Sequence, residues 1–392
     1  MPSTQPTPPL IILGSGMAGY QLATELRRLG DARPITLVTE DSADFYSKPL
    51  LSTALAKKQQ PEQLVSASGQ QQAEKLQLTI LPFTRVTAIQ PNEKRIITAE
   101  HTLDYQSLVI ATGARPNLPS IPLAETTPKS KVLYTVNSLE DYQELRQQLA
   151  TSPSVLIIGG GLIGVEMAQD LLAANFDVTL LARSNSLLDE LIPAEAAELL
   201  EKKLKQQGLK LFKNTSATQV TQHKQAWQVH TDQQLKLTAQ TLICATGLHP
   251  RIRIASEAGI ATNKGILVDQ QLKTNMPDIY ALGDCAEITG LNLMYVQPMM
   301  ASARVLAARL TGDLTAKLNL QALPILIKTP SCPVVAAPPA KSAEGSWQYE
   351  KEADSCIAEF KSNTGQLLGF ALVGKAVRQK TRLTKALPPL IS

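Results

Sequence analysis

The sequence predicts an α/β chain: two doubly wound, parallel-sheet domains and a smaller α+β domain at the C-terminal end. Three observations carry this. Two glycine fingerprints, Gly14-Ser15-Gly16-Met17-Ala18-Gly19 and Gly159-Gly160-Gly161-Leu162-Ile163-Gly164, each follow an apolar strand-like run and open a helix-like one. Strand-length apolar runs alternate with helical stretches up to about residue 310. Beyond about residue 318 prolines become dense and the runs shorten.

Leu10–Leu13 reads as the first strand. Met17–Leu29 follows as a helix with Leu22, Leu26 and Leu29 on one face. Ile35–Thr39 is the second strand and ends at Glu40. Leu108–Ala111 is a further strand closed by Thr112-Gly113, and Ala114–Lys131 reads as a linker. The second unit begins at Val155, with Val178–Leu181 as its second strand. Leu242–Ala245 closes with Thr246-Gly247, and Ile279–Leu282 precedes Gly283-Asp284. Ser302–Leu310 reads as a helix. The expected domains are 1–115 with 248–318, then 116–247, then 319–392.

Composition narrows the class. At 392 residues the chain has room for two or three cores. No run of about 18 uncharged apolar residues exists, so no membrane span is expected. The polar, proline-rich start lacks the basic and apolar regions of a signal peptide. Cys244, Cys285, Cys332 and Cys356 form no C-x-x-C pair, so no metal site is expected. Reduced, buried thiols in a cytoplasmic protein are the simple reading, with Cys285 a small filler. The four histidines, His101, His223, His230 and His249, fall in no catalytic pattern. Net charge is only +4, yet Lys375, Arg378, Lys380, Arg382 and Lys385 stand without an acid among them. They are either a solvated helix face or a dock for an acidic partner. Nucleic acid is disfavoured, since no aromatic residues interleave with these charges.

Each fingerprint has a division of labour. Gly14 allows the tight turn, Gly16 lets backbone N–H groups approach a pyrophosphate, and Gly19 permits close helix–sheet packing. Ser15 and Ala18 complete the loop, and the helix N-terminus favours an anion. Glu40 stands where an acid bonds a ribose hydroxyl. The second set is Gly159, Gly161 and Gly164, with Leu162 and Ile163 opening the helix. Its ribose-acid position falls on Ala182, and Arg183 follows. NADH and NADPH both stay open: Arg183 is either a phosphate clamp or a surface cation.

Several marks fall in a familiar order: the first fingerprint, Ala111-Thr112-Gly113, the second fingerprint, Ala245-Thr246-Gly247, and Tyr280-Ala281-Leu282-Gly283-Asp284. In these the chain resembles the two-dinucleotide flavoprotein reductases of the glutathione-reductase type. The resemblance implies FAD at the first Rossmann-like site and NAD(P)H at the second. It places Val86, Ala111, Thr112, Gly113, Arg115, Asp284 and Val296 near FAD, and Gly247 near the nicotinamide nucleotide. Disulfide reductases of this superfamily carry a redox cysteine pair shortly after the second strand. Here that stretch, Phe45-Tyr46-Ser47-Lys48-Pro49-Leu50-Leu51-Ser52, holds no sulfur. No thiol there relays electrons, so FAD must hand them directly to an acceptor.

The same stretch, with Leu291–Met299 and Ile327-Lys328-Thr329-Pro330-Ser331-Cys332-Pro333, resembles the rubredoxin reductases within that superfamily. This implies hydride transfer from NADH to FAD and single electrons passed to rubredoxin, as in supplying an alkane hydroxylase. A ferredoxin or flavorubredoxin acceptor, or a redox sensor, are the other readings. By the same resemblance Lys48 lies beside the flavin and Glu166 pairs with Lys48 and touches the nicotinamide. Glu166 is otherwise an acid favoured by a helix N-terminus. Ile163 either shapes the nicotinamide pocket or packs helix on sheet. Lys328 either reaches the flavin from the third domain or sits on the surface.

Overall fold

The computed structural model describes residues 8–122 and 132–391. Of the expected linker, residues 123–131 lie outside the described residues, as does most of the proline-rich start.

Five short apolar runs make the first sheet. Its order is Ile279–Ala281, Ser107–Ile110, Leu10–Leu13, Ile35–Val38, Thr79–Leu81, with every neighbour parallel. Leu10–Leu13 and Ser107–Ile110 are buried throughout, as strands covered on both faces are. The chain leaves Leu10–Leu13 toward Ile35–Val38 on one side and reaches Ser107–Ile110 on the other. The carboxyl ends of these strands therefore open the crevice where such sheets take ligands. Helix Met17–Arg28 buries Leu22, Ala23 and Leu26 and packs against helix Val296–Leu310. That second helix starts six residues before the expected Ser302, with Pro298 inside its first turn. A missing N–H is harmless there because first-turn amides have no helical partner.

The second sheet repeats the pattern in the order Leu133–Tyr134, Thr241–Cys244, Ser154–Ile158, Asp177–Leu181, Lys210–Phe212, again all parallel. An antiparallel ribbon of Ala114–Pro116 and Leu248–Pro250 joins the two units. The glycines just before its strands, Gly113 and Gly247, take φ of +68° and +101°, a left-handed conformation open to glycine without a Cβ penalty.

The third unit is an antiparallel sheet ordered Ile325–Ile327, Val334–Ala337, Leu367–Gly374, Ser355–Lys361, Ser346–Glu352. Its residues Val334, Ala336, Ala358, Ala371 and Val373 share one core with Leu51, Leu55 and Leu200. The sheet therefore closes over helix Ala194–Gln206 of the second unit. Its flanks return to the first core, where Leu320 donates its amide to the Ile391 carbonyl and both are buried. Among the described residues no helix is long and apolar enough to cross a membrane. All four cysteines are buried and unpaired.

Candidate active site

Both fingerprints build the same cradle. A methyl on Gly14 would lie 2.3 Å from the Ala111 carbonyl oxygen, and one on Gly19 would lie 2.1 Å from the Gly14 carbonyl oxygen. A methyl on Gly16 would meet nothing within 4 Å. In the second unit a methyl on Gly159 would lie 2.3 Å from the Ala245 carbonyl oxygen and one on Gly164 2.0 Å from the Gly159 carbonyl oxygen, while one on Gly161 would meet nothing within 4 Å. The helices Met17–Arg28 and Leu162–Ala173 begin without a side-chain cap, so their first N–H groups are free for an anion. Crowding where backbone meets backbone and open space at the middle glycine fit a dinucleotide pyrophosphate in each cradle.

Around the first cradle, the buried Ser15 hydroxyl donates to Asp41 at 2.7 Å and lies 2.9 Å from the Thr39 hydroxyl. Asp41 also accepts the Ala43 amide at 3.0 Å, so this acid shapes the loop after the second strand. Glu40 stays exposed and pairs with Arg85 at 3.0 Å, next to Val86. A methyl on Gly283 would come within 2.8 Å of the Ala18 methyl, so Ala18 sets the fingerprint helix against the Gly283-Asp284 turn. The Thr112 hydroxyl donates to the Arg251 carbonyl at 3.0 Å. Arg115 is exposed in the joining ribbon, opposite His249. Val296 is half-buried at the head of its helix. The Cys285 thiol is buried 3.3 Å from the Ile110 carbonyl oxygen, and burial pushes its pKa up.

Lys48 opens the short turn Lys48–Thr53. Its ammonium donates to Asn137 Oδ1 at 3.3 Å, and the Asn137 amide donates to the Ala114 carbonyl at 3.0 Å. Burial lowers the Lys48 pKa, and Asp284 opposes that. Burial raises the Asp284 pKa, and Lys48 opposes that.

Glu166 corrects the sequence reading: it does not pair with Lys48. The side chain is buried, and its Oε2 accepts from the Ser52 hydroxyl at 2.6 Å and the Lys328 ammonium at 2.9 Å. Its Oε1 accepts the Lys328 backbone amide at 2.9 Å. The strand Ile325–Ile327 delivers both donors of Lys328 to one carboxylate, leaving Lys48 to Asn137. Lys328, half-buried, also reaches the Pro49 carbonyl and the Ser52 hydroxyl and so ties all three units together. One turn on, Gln169 meets Ser331, and Asp170 accepts the amides of Leu55 and Ala56 at 2.8 and 3.0 Å. Sequence reasoning gave Ser52 no role of its own and did not single out Asn137, Asp41, Gln169 or Asp170. Buried polar residues at 166, 169 and 170 of an otherwise apolar helix were the available signal. Leu162 and Ile163 are half-buried and pack on the second core.

Two dinucleotide cradles joined by a ribbon, with a third sheet closed on helix Ala194–Gln206 and tied to the second fingerprint helix through Lys328 and Ser331, define a two-nucleotide oxidoreductase. The chain belongs to the pyridine nucleotide-disulphide oxidoreductase family, whose model matches residues 8–306, and residues 317–387 match the rubredoxin binding C-terminal domain. It is 39% identical to the rubredoxin-NAD(+) reductase of Alcanivorax borkumensis, over 98% of this chain and 99% of that protein. It is 37% identical to the nitric oxide reductase FlRd-NAD(+) reductase of Vibrio vulnificus, over 97% and 98%. Among solved structures, the covalent putidaredoxin reductase–putidaredoxin complex matches with a TM-score of 0.87 at 25% identity, covering 98% of this chain and 94% of that one. The resemblance to rubredoxin reductases read from the sequence is borne out.

Proposed function

We propose that this chain is an FAD-dependent reductase that draws reducing equivalents from NADH and delivers them one electron at a time to rubredoxin. The observation that carries this reading is the lock between the third unit, the second fingerprint helix and the Lys48–Thr53 turn, through Lys328, Glu166 and Ser52. Bound FAD supplies the exchange between one hydride and two single electrons. Gly14, Gly16 and Gly19 hold its pyrophosphate at the first helix N-terminus, with Asp284 beside the same crevice. Gly159, Gly161 and Gly164 hold that of the nicotinamide nucleotide. Lys48 supplies the positive charge that favours added electron density in the crevice. Glu166 neutralises Lys328 and keeps the third unit in place. The cysteine-free turn Lys48–Thr53 leaves electrons no thiol route, so they pass from FAD directly to the docked acceptor.

This assigns the first sheet and its additions to FAD, the second sheet to NAD(P)H, and the third to rubredoxin. The free, buried thiols support a cytoplasmic setting, and a rubredoxin partner supports service to an alkane hydroxylase. The Vibrio vulnificus relative favours a second reading, in which flavorubredoxin is the acceptor. The test is steady-state reduction of rubredoxin, flavorubredoxin and ferredoxin by the purified, FAD-loaded protein with NADH. Rubredoxin should show the highest kcat/KM. Protein that is colourless and cannot be reconstituted with FAD overturns the reading.

A further inference from the structure

We propose that the second cradle takes the 2′-phosphate of NADPH, held by Arg183, so that this chain accepts NADPH as well as NADH. The inference rests on reading the second unit as the nicotinamide-nucleotide site and widens its substrate. In sites of this type a carboxylate at the end of the second strand bonds the ribose hydroxyls, and it would repel a phosphate. Here Asp177–Leu181 runs into Ala182, which is 1% exposed. Its methyl lies under the phosphate turn, 2.8 Å from where a Cβ on Gly160 would stand. The Ala182 side chain offers no acceptor for a hydroxyl, and its carbonyl is taken by the Thr215 amide.

The next side chain outward is Arg183, exposed and without an ion pair among the described residues. Its backbone is fixed on both sides. Ala182 donates to the Phe212 carbonyl at 2.8 Å and accepts the Thr215 amide at 3.0 Å. The Ser184 carbonyl accepts the Asn214 amide at 3.0 Å, and the Leu188 amide donates to the Gly160 carbonyl at 2.8 Å. The segment is thus tied to the neighbouring strand end and to the phosphate turn. Other charges at this corner are engaged. Lys213 pairs with Glu201 at 2.8 Å, and Asp189 accepts from the Ser184 hydroxyl. Exposed Glu190 is the remaining acid. Arg183 is the uncommitted cation, and its guanidinium fork matches phosphate oxygens better than it matches a hydroxyl.

The test compares 2′,5′-ADP with 5′-AMP by calorimetry on the purified protein, at low and high salt. The probes differ only in the 2′-phosphate, and neither reaction chemistry nor flavin enters the readout. The 2′,5′-ADP should bind about tenfold tighter, an advantage that shrinks with salt. In R183A the ratio should fall to within about twofold, and the NADPH-to-NADH ratio of kcat/KM should fall about tenfold with it. Equal binding of the two probes by the unaltered protein overturns the proposal, whatever the variant does. A preference that survives R183A removes Arg183 from it. Failure to bind either probe overturns the nucleotide-site reading as well.

Discussion

The Glu166 carboxylate receives both the backbone amide and the ammonium of Lys328, each at 2.9 Å. One residue of the third unit therefore satisfies a buried acid of the second, and Ser52 of the first unit completes the shell. Lys328→Ala should leave Glu166 short of a cation and cost about 1–3 kcal/mol. Glu166→Gln in the same background should recover part of that loss. A double-mutant cycle by thermal unfolding that gives no coupling would remove the lock.

The glycines separate folding from binding. Gly19→Ala pushes a methyl against the Gly14 carbonyl, a backbone atom that cannot swing away, and should cost about 3 kcal/mol or more. Gly16→Ala meets open space, so the protein should fold yet bind FAD poorly. Circular dichroism and flavin content read the two effects; a folded, fully yellow Gly16→Ala protein would contradict the cradle.

Lys48 sets a pH limb. Burial lowers its pKa, so its ammonium is lost on raising the pH at a value below the ordinary lysine range. Flavin reduction should therefore slow on the alkaline side, and Lys48→Arg should move that limb upward. Lys48→Ala should retain FAD but slow reduction by about 10- to 100-fold. Stopped-flow rates that ignore both variants would dismiss the role.

The basic tail is less free than its sequence suggests. Lys375 pairs with Asp354 at 3.1 Å and Arg382 with Glu359 at 3.4 Å, while Arg378 and Lys380 have no ion pair among the described residues. Neutralising Arg378 and Lys380 should raise the rubredoxin KM several-fold at low salt and flatten its salt dependence. Adding Lys375→Ala should change little more. A rubredoxin KM that holds at low salt would place the dock elsewhere.

Local chemistry made much of this molecule legible in the chain itself. Glycine spacing after an apolar run marks a strand–turn–helix, and the crowding of Gly19 against the Gly14 carbonyl is local to that turn. Strand alternation and the missing cysteine near Lys48 are equally local facts. The partner of Glu166 was different. Residues 166 and 328 are 162 positions apart, and no motif states which buried carboxylate a distant lysine will meet. Only the closing of the third sheet over the second unit brings Lys328 to Glu166 and sends Lys48 to Asn137. A buried charge takes whichever donors the packed backbone delivers, and that choice belongs to the tertiary structure.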